Sequence, residues 1–296
     1  DNGYNWFSAS DELSSRNANY ANPYVRYVIP YTSLGIANDI INAFPADTKD
    51  AEAINMIAQA KTIRAFDYLS LAPYFQGSYQ TSKDKPCVPL LDGKNDYTNN
   101  PRATVAEVYT AIIDDLSYAI DNLTDAREDK SRINKSVALG LRARAYLYMG
   151  EYAKALVDAE AAMKGYTPAS LADVSVPGFD DSSASNWMWT YDLTDDQVAS
   201  AAASYATAAS WMSAFCGQGY AVATGNVPMI NKLLYDKIPA TDVRKGWWLD
   251  ENLHSPLLAN LEWKDSKGNV LAKGDAIAPL KIKDVKEPLV AYANVK

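Results

Sequence analysis

The residues able to do chemistry in this 296-residue chain are few and scattered. One histidine, His254, lies in loop-like sequence and is the sole imidazole available as a general base for a Ser or Cys nucleophile. A single imidazole also excludes His-rich metal sites. The spacings HExxH, GxSxG, CxxC, GxGxxG and the P-loop are absent, so nucleophilic, metal and phosphate chemistries lack their local signatures. Carboxylates occur as adjacent pairs, Asp114 with Asp115, Asp180 with Asp181 and Asp195 with Asp196. Acid–base cleavage of a glycosidic bond needs two carboxyls on opposite sides of that bond, an arrangement that neighbours in sequence do not supply. Catalysis is therefore not expected, nor is a cofactor or a metal. Cys87 and Cys216 are far apart, and sequence alone leaves their pairing open.

Composition narrows the partners. The chain is 48% hydrophobic and 22% charged, ordinary for a folded protein with a sizeable core. Its formal net charge of -8 argues against a polyanion, because nucleic-acid affinity comes from Lys and Arg neutralising phosphates. Twenty Tyr and seven Trp are more aromatic surface than a helical bundle needs, and such rings suit binding faces that are half apolar and half wet. No apolar run approaches the length of a membrane span, and DNGYNWFSAS at the start has neither a basic beginning nor an apolar signal core.

The element that organises the chain is a helical hairpin at 134–165. Asn134 caps the first helix and Gly150 ends it in the left-handed conformation. Val137, Ala138, Leu141, Ala145 and Tyr148 recur at three- and four-residue spacing, as do Tyr152, Ala155, Leu156, Ala159 and Met163, before Gly165 closes the second helix. Small residues at Ala143, Ala155, Ala159 and Ala162, with Tyr146 and Tyr152 flanking Gly150, fit the tetratricopeptide alternation of small and large packing positions. Helices this short need further helices to bury their stripes.

Residues 1–22 are polar and read as loop. Tyr27, Tyr31, Leu34, Ile41 and Phe44 predict a helix interrupted or started near Pro30 and ended by Pro45. Asp47, Asp50 and Glu52 precede a second helix to about Leu71, closed by Pro73 and Gly77. Residues 77–103 read as an ordered but irregular connection. Thr104 and Glu107 form a capping box ahead of the stripe Val105, Val108, Tyr109, Ile112, Leu116, Ala119, Ile120 and Leu123, with Asp114 and Asp115 assigned to a solvated face. Beyond Gly165 the sequence becomes loop-rich: WMWTY at 187–191 alternates like a strand, short helices are expected near 198–204 and 227–235, and KDSKGN at 264–269 turns between strands in 256–296. The fold class expected is mainly α, with tetratricopeptide-like hairpins in residues 1–165 and an irregular second half, 166–296, carrying a little β-sheet.

Four segments in order, AEAINMIAQAKTIRAFDYLSLAPYF at 51–75, PCVPLL at 86–91, TVAEVYTAIIDDLSYAIDNL at 104–123 and the hairpin at 134–163, resemble the SusD/RagB family. They include Arg64 followed by Ala65 and the Ile113-Asp114-Asp115-Leu116 run. LLYDKIPATDVRKGWW at 233–248 resembles a later family segment, with Asp242 and Arg244 in its D-x-R. QGSYQTSKDKPCVPLL departs from the family by an insertion where Gly-Asp-Val-Pro would stand. The lipid-bearing Cys and the later helices of the family are expected to lie in a longer protein of which this chain is part.

The resemblance implies a single SusD-like domain in a surface-exposed, lipid-anchored outer-membrane protein of Bacteroidetes. Such a protein captures oligosaccharides, or in some members peptides, and delivers them to a SusC-like TonB-dependent transporter. A generic tetratricopeptide adaptor is the rival reading. A glycan site needs exposed rings for the C–H faces of sugars and planar polar groups for their hydroxyls. Tyr109 and Tyr148 lie on helix stripes and read as core, as does one of Trp187 and Trp189. Tyr191, Trp211, Tyr220 and Trp247, in irregular sequence, are the expected stacking residues, with Gln218 and Asn226 as polar partners, and the 77–102 loop as the alternative location.

Overall fold

The computed structural model describes residues 21–94, 99–174, 182–191, 230–250, 252, 254–259, 262–264 and 268–276. The chain divides into two compact units, one of residues 1–167 with 187–190, the other of residues 168–186 with 191–296.

The first unit is a stack of helices: α1 (Ala21–Asn42), α2 (Ala51–Phe75), a single turn α3 (Tyr79–Ser82), α4 (Val105–Asn122), α5 (Lys135–Met149) and α6 (Tyr152–Ala162). Each long helix packs on the next, α1 on α2, α2 on α4, α4 on α5 and α5 on α6. The caps act as their chemistry dictates. Thr104 accepts from the Glu107 backbone while the Glu107 carboxylate accepts from Thr104, a closed capping box. Asn134 Oδ1 accepts from Val137 N at 3.0 Å, and Gly150 ends α5 at φ 79°. The core joins Leu34, Leu71, Val88, Val108, Ile112, Leu116, Val137 and Ala138.

Several expectations need correction. Pro30 does not interrupt α1, which already includes residues 21 and 22, and α2 runs through Pro73 to Phe75. Each proline gives up one backbone bond, and packing along both helices outweighs that loss. Asp115 is not on a solvated face: it is buried between α2 and α4, where Arg64 and Lys61 neutralise it. Tyr109 is core, but Tyr148 is exposed near the end of α5, and Tyr152, Leu156 and Met163 are exposed because α6 turns Ala155, Asp158 and Ala162 inward. WMWTY forms no strand. Its residues 187–190 belong to the helical unit, with Thr190 N donating to Lys130 O at 3.0 Å, Trp189 Nε1 donating to Ser131 O at 3.1 Å, and the Trp189 ring edge-on to Phe66.

Of the 77–103 connection, expected to be ordered but irregular, residues 77–94 and 99–103 are described; they hold the single turn α3 and otherwise irregular chain. Between residues 86 and 92 it is fixed largely through its main chain. Tyr31 Oη donates to Pro89 O at 2.6 Å, Asn38 Nδ2 to Leu91 O at 2.9 Å, Asn42 Nδ2 to Asp92 O at 2.7 Å, and Arg102 Nε to Cys87 O at 2.7 Å. The Tyr68 hydroxyl accepts from Leu91 N at 2.7 Å. Burial and neighbouring tyrosines push the Tyr31 phenol up, and burial pushes Tyr68 up to about 12, so both remain hydrogen-bonding phenols.

In the second unit the described elements are short. They are α7 (Leu171–Val174), α8 (Lys232–Tyr235), 3-10 turns at Val243–Trp247, Pro256–Leu258 and Gly274–Ala276, and an antiparallel pair, β1 (Glu262–Lys264) with β2 (Val270–Lys273). Glu262 pairs with Lys273 and Trp263 with Ala272, and Gly268 takes φ 84°, so the strand pair predicted on either side of 264–269 is present, while residues 265–267 lie outside the described set. Of the helix expected at 227–235, residues 232–235 form the one turn of α8; residues 227–229, like residues 198–204, lie outside the described set. Among the described residues no helix is long and apolar enough to cross a membrane.

Candidate functional site

Residues 235–257 of the second unit enclose a cleft of about 490 Å³, within the range of small-molecule sites. Four local devices build it. Asn231 caps α8 by accepting from Leu233 N at 2.9 Å, which places Tyr235 at one wall. Asp242 caps the 243–247 turn by accepting from Arg244 N at 3.0 Å, which carries Lys245 and Trp248 to the lining. Asp250 Oδ1 accepts from Asn252 N at 2.8 Å and His254 N at 2.9 Å, closing the loop that presents His254. Ser255 caps the 256–258 turn, its hydroxyl donating to Gly246 O, and Pro256 occupies the first turn where no N–H is needed. Gly246 permits the close approach: a Cβ there would stand 3.1 Å from Pro256 Cγ. Leu249 and Leu258, both fully buried, hold the lining residues in place.

The electrostatics suit uncharged polar ligands. Asp242 lies under the guanidinium of Arg244, with Nε at 2.9 Å from Oδ1 and Nη2 at 2.6 Å from Oδ2, and these bonds hold its carboxyl down at about 2. Lys245 Nζ donates to Ile238 O at 2.9 Å and lies 4.8 Å from the centre of the Tyr235 ring, so its charge is engaged by the protein. Asp242 and Asp250 supply acceptors, while Trp248 and Tyr235 supply ring surface. This is the equipment for a ligand with hydroxyl donors and C–H faces.

Of the sequence-chosen site residues, Trp211, Gln218, Tyr220 and Asn226 lie outside the described residues. Tyr191 is exposed (64%), and Trp247 is half-buried at the end of the 243–247 turn. Neither is among the residues lining this cleft; the ring that enters is that of Trp248. Tyr235, Trp248, Asp250 and His254 were not singled out as ligand contacts. Neighbouring residues on a tight turn point in different directions, so WW alone does not reveal which ring lines a cleft. The density of aromatic, acidic, Pro and Gly residues across 235–257 was the available signal.

Comparison with known proteins places the fold. A family model described as starch-binding and associating with the outer membrane, SusD-like, matches residues 1–147. The first half of the chain, residues 1–147, is SusD-like. This SusD-like chain is 30% identical over 123 residues to a SusD-like protein of Bacteroides ovatus, a match covering 40% of this chain and 21% of that one. It thus spans about a fifth of the curated relative it matches. A SusD-like carbohydrate binding protein from Bacteroides vulgatus superposes with TM-score 0.69 at 21% identity, covering 97% of this chain and 66% of its own. A SusD superfamily protein from Bacteroides thetaiotaomicron gives TM-score 0.62 at 20% identity, covering 91% and 57%. These two likenesses establish the fold, mainly helical and SusD-like. The family match ends at residue 147, ahead of the cleft.

Proposed function

We propose that this SusD-like protein captures oligosaccharides at the cell surface and delivers them to a SusC-like TonB-dependent transporter, held at the outer membrane by a lipid anchor. Residues 1–165 serve as the helical scaffold and residues 166–296 as the ligand-binding region. The observation that carries the reading is the cleft, which sets the rings of Trp248 and Tyr235 beside the Asp242 and Asp250 carboxylates. Rings that stack on pyranose faces and carboxylates that accept from sugar hydroxyls are the chemistry of a neutral glycan site. The family description as starch-binding and outer-membrane-associated supports both the ligand class and the location. We read the site as one that binds without turnover: Asp242 is salt-bridged to Arg244 and Asp250 Oδ1 accepts from two backbone N–H groups, and each carboxylate keeps lone pairs for a sugar hydroxyl.

The test is calorimetry with malto-oligosaccharides and a wider glycan panel. Saturable binding is expected, weakened about tenfold in Trp248→Ala, since a stacking ring contributes on the order of 1 kcal/mol. Parent-like affinity in a folded Trp248→Ala, or no glycan bound by the parent, overturns it. Co-purification from outer membranes is expected to retrieve a large β-barrel.

A further inference from the structure

Lys245 joins the supports of the two rings that line the cleft. Through its main chain it belongs to the 243–247 turn: its N–H donates to Asp242 O at 3.0 Å, and its carbonyl accepts from Trp248 N at 3.3 Å. Through its side chain it crosses to the end of α8, where Nζ donates to Ile238 O at 2.9 Å and lies 4.8 Å from the centre of the Tyr235 ring. The residues it grips there are themselves linked, Ile238 N donating to Tyr235 O at 3.1 Å. The ammonium therefore closes the chain from 238 to 245 into a loop flanked by Tyr235 on one side and Trp248 on the other.

Tyr235 needs such a tie. The helix that carries it is a single turn, too short to hold its shape in water through its own backbone bonds. Asn231 supports only the start of that turn, and the Lys232–Asp236 ion pair, 3.1 Å long and exposed, adds little. The half-buried Lys245 ammonium has in turn to replace the water it loses, and a carbonyl together with a ring face does so. Because both hold the charge at the end of α8, Lys245 acts on a ligand through Tyr235 rather than through an ion pair of its own.

We propose that Lys245 is the positioning residue of the cleft, its ammonium fixing the Tyr235 ring and its main chain fixing Trp248, so that one side chain sets the separation of the rings a glycan meets. This rests on the glycan reading of the cleft given above.

The first measurement needs no ligand. In protein carrying carbon-13-labelled lysine, the ε-methylene of Lys245 is identified as the signal lost in Lys245→Met. It is expected upfield of a solvent-exposed lysine because of the Tyr235 ring current, and Tyr235→Leu is expected to abolish the shift; an unshifted signal overturns the proposal. Calorimetry then uses malto-oligosaccharides and the same wider glycan panel. Lys245→Met keeps the length of the stem and removes the charge and the donor, and is expected to weaken binding about tenfold, whereas Lys245→Arg still donates and still stacks and should stay within about threefold of the parent. In a Tyr235→Leu background Lys245→Met should cost nothing further, as befits a residue that works through its neighbour. Parent-like binding in Lys245→Met, failure of Lys245→Arg to restore binding, or an undiminished cost in the Tyr235→Leu background overturns this inference and leaves the glycan reading standing. No glycan bound by the parent removes both.

Discussion

Arg64 takes both oxygens of Asp115, while Lys61 Nζ shares Oδ1 at 2.7 Å, so one buried carboxylate compensates two cations. Asp115→Asn keeps the shape and removes the charge, leaving Arg64 and Lys61 without a counter-ion. The expected loss is about 3–5 kcal/mol, the range for breaking one side of a buried ion pair. Urea denaturation measures it, and a loss below about 1 kcal/mol would contradict the arrangement.

Asp67 is buried on α2, and its Oδ2 has no hydrogen-bond partner. Burial pushes its carboxyl up to about 7 from an ordinary 3.8, and a hydrogen bond from Ser33 offsets this only in part. A raised folded pKa in an acid means that the native state holds the proton more tightly than the unfolded chain. Stability from this group is therefore full below about pH 4 and declines as pH rises to about 7. The decline should be on the order of a few kcal/mol, and Asp67→Asn should flatten it. Thermal melts of both proteins from pH 4.5 to 8 decide the point; parallel curves reject it.

Ala155 lies inside the α5–α6 hairpin at 8% exposure, whereas Ala153, on the same helix, faces solvent. Ala155→Asp should cost about 3 kcal/mol or more by burying an unpaired charge, and Ala153→Asp about 0.5 or less. Equal melting temperatures for the two variants would remove the hairpin packing.

Gly150 holds φ 79°, and the side chain of Gln80, which donates to Met149 O at 2.7 Å, occupies the place a Cβ would take. Gly150→Ala should destabilise by about 1–2 kcal/mol through left-handed strain and displacement of Gln80. A neutral or stabilising result in chemical denaturation would be inconsistent with this turn.

Local chemistry made the helix ends readable. Asn134, Thr104 with Glu107, and Gly150 act through neighbours within a few residues, and so their roles could be seen in the sequence. Asp115 could not be read that way, because its partners are more than fifty positions earlier and only the α2–α4 packing brings them together. Pro30 and Pro73 misled for the same reason: tertiary burial decides whether a helix survives a proline. The cleft was legible as a region rich in turns and rings, while the choice of Trp248 over Trp247 depends on a single 3-10 turn.

The strap at 86–92 is gripped by its peptide groups: Tyr31, Asn38, Asn42, Tyr68 and Arg102 reach carbonyls and one N–H, each present whatever the residue type. Its path is thus set mainly by groups that do not depend on side-chain identity. The side chains along it do separate work, Val88 and Leu90 packing on the core and Asp92 accepting from Lys94 N, so an engineer could retune that packing one residue at a time while the main-chain bonds keep the route.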